Sequence, residues 1–102
     1  MPQHAHVVYF QLKDASADAL AAFIAECKEH LAGHDGLEHF AVGTRDLELN
    51  RPVNGKFDAS LNMIFASREA HDAYQVSPRH QVFIDNNKDK WSECTVFDTT
   101  LC

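Results

Sequence analysis

The residues of this chain best suited to acid–base chemistry lie in one short segment, residues 73–83, at the junction between two helical patterns. Ser77 followed by Pro78 predicts the start of a helix, because serine caps free backbone N–H groups and proline fits the first helical position. His80 then lies in the first turn. A histidine with a pKa near neutrality suits the role of a general base.

His80 is predicted to face the interior of the protein. It shares one stripe of the predicted helix with the residues at i+3, i+4, i+7 and i+11, which are Phe83, Ile84, Asn87 and Trp91. Because a helix N-terminus disfavours positive charge, the imidazole is expected to stay neutral and ready to accept a proton. The alternative is a core histidine with one good hydrogen bond, and the sequence leaves both interpretations open.

The composition is that of an ordinary globular protein and argues against several classes of function. A chain of 102 residues is long enough for one domain, 1–102, and too short for two. A net charge of −6 with scattered basic residues argues against nucleic-acid binding. No apolar run approaches the roughly 20 residues of a membrane span. No secretory signal is visible, so a cytoplasmic protein is expected.

No metal site and no cofactor are predicted. The three cysteines, Cys27, Cys94 and Cys102, form no C-x-x-C pattern, and Cys27 is expected in the core. His30 and His34 are four residues apart, but no third ligand is near them in sequence, which favours solvated surface histidines over a metal pair.

The elements that must position these residues follow the order β-α-β-β-α-α-β. Strands are predicted over residues 6–12, 37–49, 58–66 and 93–100, and helices over residues 16–33, 67–75 and 78–90. Gly43 is expected to mark a bulge or a close approach of the backbone. The order predicts an α+β, ferredoxin-like fold with a four-stranded antiparallel sheet, whose second helix is broken before Pro78.

Both faces of the first strand are largely apolar, which bears on the state of assembly. Val8 and Phe10 lie on one face, and Val7 and Tyr9 lie on the other. One layer of helices covers only one face of a sheet, so the other face needs a second cover. A twofold homodimer is therefore predicted.

Four parts of the chain together carry a family resemblance. They are His6-Val7-Val8-Tyr9-Phe10, Tyr74-x-x-x-Pro78-x-His80, Asn87 with Trp91, and Phe97-Asp98. From about residue 6 to residue 99 the chain resembles the stress-responsive A/B barrel (Dabb) domain family. The resemblance implies a dimeric ferredoxin-like α+β barrel. That family includes many uncharacterised members and also olivetolic acid cyclase, which closes a linear poly-β-ketone by aldol condensation without a cofactor.

The resemblance to the cyclase also implies candidate catalytic residues, which are His80, Tyr74, His6 and Asp98. Asp98 is expected to orient a histidine if one lies within reach. The junction departs from the cyclase, which has a histidine in place of Ser77 and a small residue in place of Arg79.

Three functional hypotheses follow for a pocket between the sheet and the junction. The first is cofactor-free acid–base chemistry, an aldol-type cyclisation or a lyase step, on a small carbonyl or aromatic compound. The second is a non-catalytic, stress-associated dimer that binds a small ligand. The third is a cofactor-independent monooxygenase, which rests on analogy of fold. His4 and His71 are expected to be exposed and to take no part.

Overall fold

The computed structural model describes residues 2–102 and has the predicted order of elements. The strands are β1 (His4–Leu12), β2 (Leu37–Thr44), β3 (Ala59–Phe65) and β4 (Trp91–Thr100). The helices are α1 (Ala17–Leu31), α2 (Arg68–Gln75) and α3 (Pro78–Asn87), and a 3-10 turn over Lys88–Lys90 follows α3. All strand pairs are antiparallel, in the order β2-β3-β1-β4. The ferredoxin-like prediction is therefore confirmed.

Each of the three α-helices begins at a serine, as the sequence predicts. The hydroxyl oxygens of Ser16, Ser67 and Ser77 each accept a hydrogen bond from the backbone N–H three residues further on, at 3.1–3.3 Å. These bonds satisfy donors that have no partner inside the helix. Within residues 2–102, no helix is both long and apolar enough to cross a membrane.

The core lies between the helices and one face of the sheet. β1 and β3 bury alternate residues on this inner face, and α1 packs against them with Phe23, Cys27 and Leu31. Phe23 meets Phe10 of β1 with the ring centroids 4.9 Å apart. Within residues 2–102 no helix covers the outer face, where Phe97 is 56% exposed. The structure therefore agrees with the prediction that helices cover only one face of the sheet.

Several predicted details are wrong. β2 ends at Thr44 instead of residue 49, because the Asp46 carboxylate accepts the backbone N–H of Glu48 and turns the chain away. Gly43 marks neither a bulge nor a close approach: it pairs regularly with Ser60, and the space where a Cβ would lie is open. The irregularity in this strand pair falls instead between Leu37 and His39.

A turn before β2 packs directly on the start of α2. Gly36 has a φ of +78°, and a Cβ built on it would lie 2.6 Å from the Cβ of Ala70. Its carbonyl accepts the backbone N–H of Ala66 at 2.7 Å. Only glycine allows both the left-handed backbone and this contact, which fixes the position of α2 relative to the sheet.

Candidate active site

The junction between α2 and α3 brings His80 and Tyr74 together. The two rings meet edge-on with their centroids 4.8 Å apart. Tyr74 is buried, and His80 is half-buried, in agreement with its predicted inward orientation. Within residues 2–102, neither the Tyr74 hydroxyl nor the His80 ring nitrogens have a hydrogen-bond partner, whereas every fully buried side-chain nitrogen or oxygen has one. The unpaired atoms must therefore reach open space.

That space is a cavity of about 150 Å³ between the sheet and the α2–α3 junction. His6, Tyr74 and His80 all contribute to its wall, and most of the remaining lining is apolar, including Phe10, Phe83 and Trp91. Cys94 and Val96 of β4 complete the wall. Because Val96 is 46% exposed, the cavity is open to solvent on the side of β4.

Asp98 pairs with His6 and not with His80. The strand register places Asp98 opposite His6, and the His6 Nδ1–H donates to Asp98 Oδ1 at 2.7 Å. The other ring nitrogen, His6 Nε2, lies 3.4 Å from the side-chain nitrogen of Gln75, which donates to it. A histidine is thus within reach of Asp98, and that histidine is His6.

The electrostatics favour a neutral His80 and a protonated Tyr74. Burial is the main cause that lowers the pKa of His80 below 6.5, and any positive charge on the nearby imidazoles of His6, His34 and His71 lowers it further. The predicted neutral state is therefore supported, but the main cause is burial, not the helix N-terminus. Burial also raises the pKa of Tyr74 well above 10, so its hydroxyl keeps its proton.

Burial and hydrogen bonding shift the pKa values of His6 and Asp98 in opposite directions. Burial lowers the pKa of His6 more than the hydrogen bond to Asp98 raises it. Burial would raise the pKa of Asp98, but the hydrogen bonds from His6 and His4 outweigh it and lower that pKa. The carboxylate therefore stays ionised beside a neutral imidazole.

His4 and His71 are buried, so the expectation that they are exposed is wrong. They are 6% and 8% exposed, and their ring centroids lie 4.4 Å apart. The ring of His6 lies 4.8 Å from that of His71. The signals for both were present: His4 precedes His6 by two residues on one strand face, and His71 precedes Tyr74 by three on one helix face. We refer to His4, His6 and His71 as the histidine cluster.

The other candidates do not join the cavity. His34 packs edge-on against Tyr74 at 4.9 Å and donates its Nε2–H to the carbonyl of His30, while His30 itself lies 3.5 Å from Glu26. These two histidines are half-buried, not solvated as expected. Arg79 donates to the carbonyl of Glu29 on α1.

Cys27 is fully buried, as predicted, and burial raises the pKa of its thiol to about 12. All three cysteines are free. A thiol with so high a pKa is almost entirely un-ionised near neutral pH, so Cys27 is a core residue without nucleophilic character.

Comparison with models of protein families identifies the family of this chain. The family model described as the stress responsive A/B barrel domain, Dabb, matches residues 5–101. The chain belongs to the Dabb family. No protein of curated function matches this Dabb chain in sequence.

Solved structures share the fold of this Dabb chain. A Dabb family protein from Mesorhizobium loti is 23% identical, with a TM-score of 0.83 over 100% of this chain and 99% of that one. A dimeric ferredoxin-like protein of unknown function from Thermobifida fusca is 20% identical, with a TM-score of 0.82 over 98% and 92%. A hydroxynitrile lyase from Passiflora edulis is 16% identical, with a TM-score of 0.81 over 99% and 94%. At these identities the likeness is one of fold.

Proposed function

We propose that this Dabb domain catalyses cofactor-free acid–base chemistry on a small carbonyl compound, as a lyase-type or aldol-type step. One observation carries the proposal: His80 and Tyr74 line the same small cavity, and within residues 2–102 neither the imidazole nor the hydroxyl has a hydrogen-bond partner. A neutral imidazole accepts a proton, and a protonated phenol donates to a developing oxyanion. A purely structural pair would be expected to satisfy each other or the backbone.

In the proposed reaction, His80 first takes up a proton and then returns it. In the lyase direction, His80 takes the hydroxyl proton of a hydroxy compound, a C=O bond forms, and the adjacent carbon bond breaks with its electron pair. The departing carbanion then takes the proton back from the imidazolium. In the aldol direction His80 removes a proton next to a carbonyl, and the Tyr74 hydroxyl donates to the resulting enolate oxygen. The enolate carbon then forms a bond to a second carbonyl carbon, whose oxygen takes the proton back from the imidazolium.

The size of the cavity favours a small substrate. About 150 Å³ corresponds to roughly five water molecules at the volume water has in the liquid. Typical pockets for drug-sized ligands begin at about 300 Å³. A compact carbonyl compound or cyanohydrin fits this space better than a long poly-β-ketone. The similarity of fold to the Passiflora edulis hydroxynitrile lyase supports the lyase-type alternative.

His6 and Asp98 are proposed as positioning residues. The Asp98 carboxylate holds the proton of His6 on Nδ1, which leaves Nε2 as the hydrogen-bond acceptor on the cavity side. This nitrogen accepts from Gln75, the residue after Tyr74. The pair thereby fixes the end of α2 against β1 and keeps Tyr74 aimed at the cavity.

A homodimer is the proposed assembly. The outer face of the sheet is apolar around Tyr9 and Phe97, whose ring centroids lie 6.0 Å apart. Apolar faces of this kind are usually covered by a partner. The similar Thermobifida fusca structure is described as dimeric, which supports a second copy as the cover.

The test is a screen of small aldehydes, ketones, cyanohydrins and β-dicarbonyl compounds, followed by variants assayed on any substrate found. His80→Ala is expected to lower kcat/KM by about 10²- to 10⁴-fold. Tyr74→Phe is expected to lower it by about 10²- to 10³-fold. Because the Tyr74 hydroxyl makes no hydrogen bond within residues 2–102, Tyr74→Phe should leave the midpoint of thermal unfolding nearly unchanged.

The matched control is His30→Ala, which removes a histidine of α1 that does not line the cavity. It should keep full activity. An unchanged rate in a folded His80→Ala protein would contradict the proposal. Binding of the screened compounds without turnover by the wild type would favour the ligand-binding alternative instead.

A further inference from the structure

Three potential metal ligands from three different elements meet beside the cavity. They are His4 Nε2 of β1, His71 Nε2 of α2 and Asp98 Oδ1 of β4, and all lie within 4.8 Å of one another. The carboxylate oxygen is 2.9 Å from His4 Nε2 and 3.5 Å from His71 Nε2. Ligand atoms on one tetrahedral Zn²⁺ lie about 3.3 Å apart, given the usual bond lengths. Asp98 Oδ1 is therefore close to the required spacing from both imidazole nitrogens.

In the neutral tautomer of His71, the lone pair of Nε2 points toward His4 Nε2 and Asp98 Oδ1. Its Nδ1–H donates to Asp72 Oδ1 at 3.0 Å, so Nε2 carries the lone pair in the neutral ring. The side-chain nitrogen of Gln75, a donor, lies 3.3 Å from His71 Nε2 and agrees with this tautomer. A lone pair 3.5 Å from a carboxylate oxygen is repulsive unless a positive charge lies between them.

The outer contacts also fit a metal site. Histidine ligands almost always donate their second ring N–H to a carboxylate or carbonyl, as His71 does to Asp72. Asp72 is held in turn by the Arg68 Nε–H at 2.8 Å. Ligating carboxylates are themselves hydrogen-bonded, and Asp98 accepts from His6. Hydrogen bonds to His71 and Asp98, and a further hydrogen bond from Arg68 to Asp72, therefore hold the ligands in place.

We propose that His4, His71 and Asp98 bind a divalent transition metal of the Zn²⁺ type. Two imidazoles and one carboxylate suit Zn²⁺ and related ions better than Mg²⁺ or Ca²⁺, which prefer oxygen ligands. His4 now donates its Nε2–H to Asp98, so this proton moves to Nδ1 or leaves when the metal binds. The side chain of Asp98 is 43% exposed, which gives the ion a path from solvent.

The site is separate from the proposed catalytic pair, because neither His80 nor Tyr74 is a ligand. It also departs from the expectation, drawn from the sequence, that the chain has no metal site. A bound ion would join β1, α2 and β4 at one point, so metal binding should stabilise the folded chain. The proposal does not depend on any carbonyl-directed activity.

The experiment is a calorimetric titration of the chelator-treated, full-length chain with ZnCl₂. We expect one Zn²⁺ per chain and an upward shift of Tm that EDTA reverses. His4→Gln and His71→Gln should each abolish both effects. Asp72→Asn, an exposed position outside the ligand set, should weaken binding by about 10- to 100-fold. His30→Ala is the matched histidine control and should bind Zn²⁺ as the wild type does.

Cobalt(II) gives a second readout, since its visible absorption reports nitrogen and oxygen ligation directly and should disappear in His71→Gln. Wild-type protein that binds neither ion would overturn the proposal. Zinc binding that persists unchanged in both His4→Gln and His71→Gln would also overturn it, and so would a Tm that responds to pH but not to Zn²⁺. Loss of metal binding with intact His80-dependent turnover, or the reverse, distinguishes failure of this proposal from failure of the proposed function.

Discussion

The imidazole of His80 connects folding stability to the proposed activity through its pKa. It faces His6 of β1, His34 after α1, and Tyr74 and His71 of α2, so no anionic partner stabilises its charged form among these neighbours. The folded-state pKa is therefore below the value of about 6.5 expected in the unfolded chain. Protonation of His80 thus favours the unfolded state.

We predict that both stability and activity fall on the acid side. As pH decreases through 6.5, the unfolded chain takes up a proton at His80 before the folded chain does, so the free energy of unfolding decreases. The value of kcat/KM should fall with an apparent pKa below 6.5, because the neutral base is lost. Denaturant titrations at several pH values, on wild type and His80→Gln, check the first effect, which should be smaller in the variant because only His6, whose pKa is also lowered, still contributes. A flat pH–rate profile between about pH 8 and 5 would argue against His80 as the base.

The inward or outward orientation of single site residues could be predicted where it follows from the periodicity of one helix or strand. The spacing to Phe83 and Asn87 turned His80 inward, and the structure agrees. The same rule applied two residues before His6 would have turned His4 inward, so this error came from starting β1 too late. The meeting of His4, His71 and Asp98 is different, because it depends on the register between β1 and β4. No local pattern encodes that register.

At the scale of elements, the serine caps and the Ser-Pro break determine where the helices begin. These local signals made the order of elements predictable from the sequence. The ends of the strands were less predictable, because they depend on turn contacts such as that of Asp46 with Glu48. The packing of α2 against the turn before β2 could not be predicted from the sequence either, because it depends on the contact between Gly36 and Ala70.

Two glycines offer a matched test of how much the packing of α2 against this turn contributes to stability. Gly33 and Gly36 both have positive φ, but only Gly36 has an atom where a Cβ would lie. Gly33→Ala should cost about 1 to 2 kcal/mol of stability from backbone strain alone. Gly36→Ala should cost roughly 1 to 3 kcal/mol more, because α2 must also move. Urea unfolding of both variants measures the difference, and equal costs would show that the contact with Ala70 has no energetic weight.

At the scale of the whole molecule, the sheet is covered by helices on one face only. The outer face carries Tyr9 on β1 and Phe97 on the edge strand β4, and both line a surface cavity of about 510 Å³ that also includes Arg45 and Phe57. The apolar character of both faces of β1 was visible in the sequence. The identity of the partner was not, because any apolar surface would satisfy the same pattern.

We predict that Phe97→Asp dissociates the proposed homodimer. A carboxylate at the centre of an apolar interface loses its hydration without gaining a partner. Val82→Asp, on the exposed side of α3, is the matched control and should remain dimeric. Sedimentation velocity at micromolar concentration separates the two states. A wild-type chain that sediments as a monomer would contradict the dimer.

The carboxylate of Asp98 joins parts of the chain that are far apart in sequence. It lies 94 residues from His4 and 92 from His6, nearly the full length of the chain. Closing a loop of that length costs about 4 kcal/mol of chain entropy, so such contacts form late in folding. A chain still being synthesised has its core strand β1 and both helices of the junction before it has Asp98. The histidine cluster therefore acquires its carboxylate only when β4 pairs with β1, and the order of synthesis makes this one of the last events in maturation.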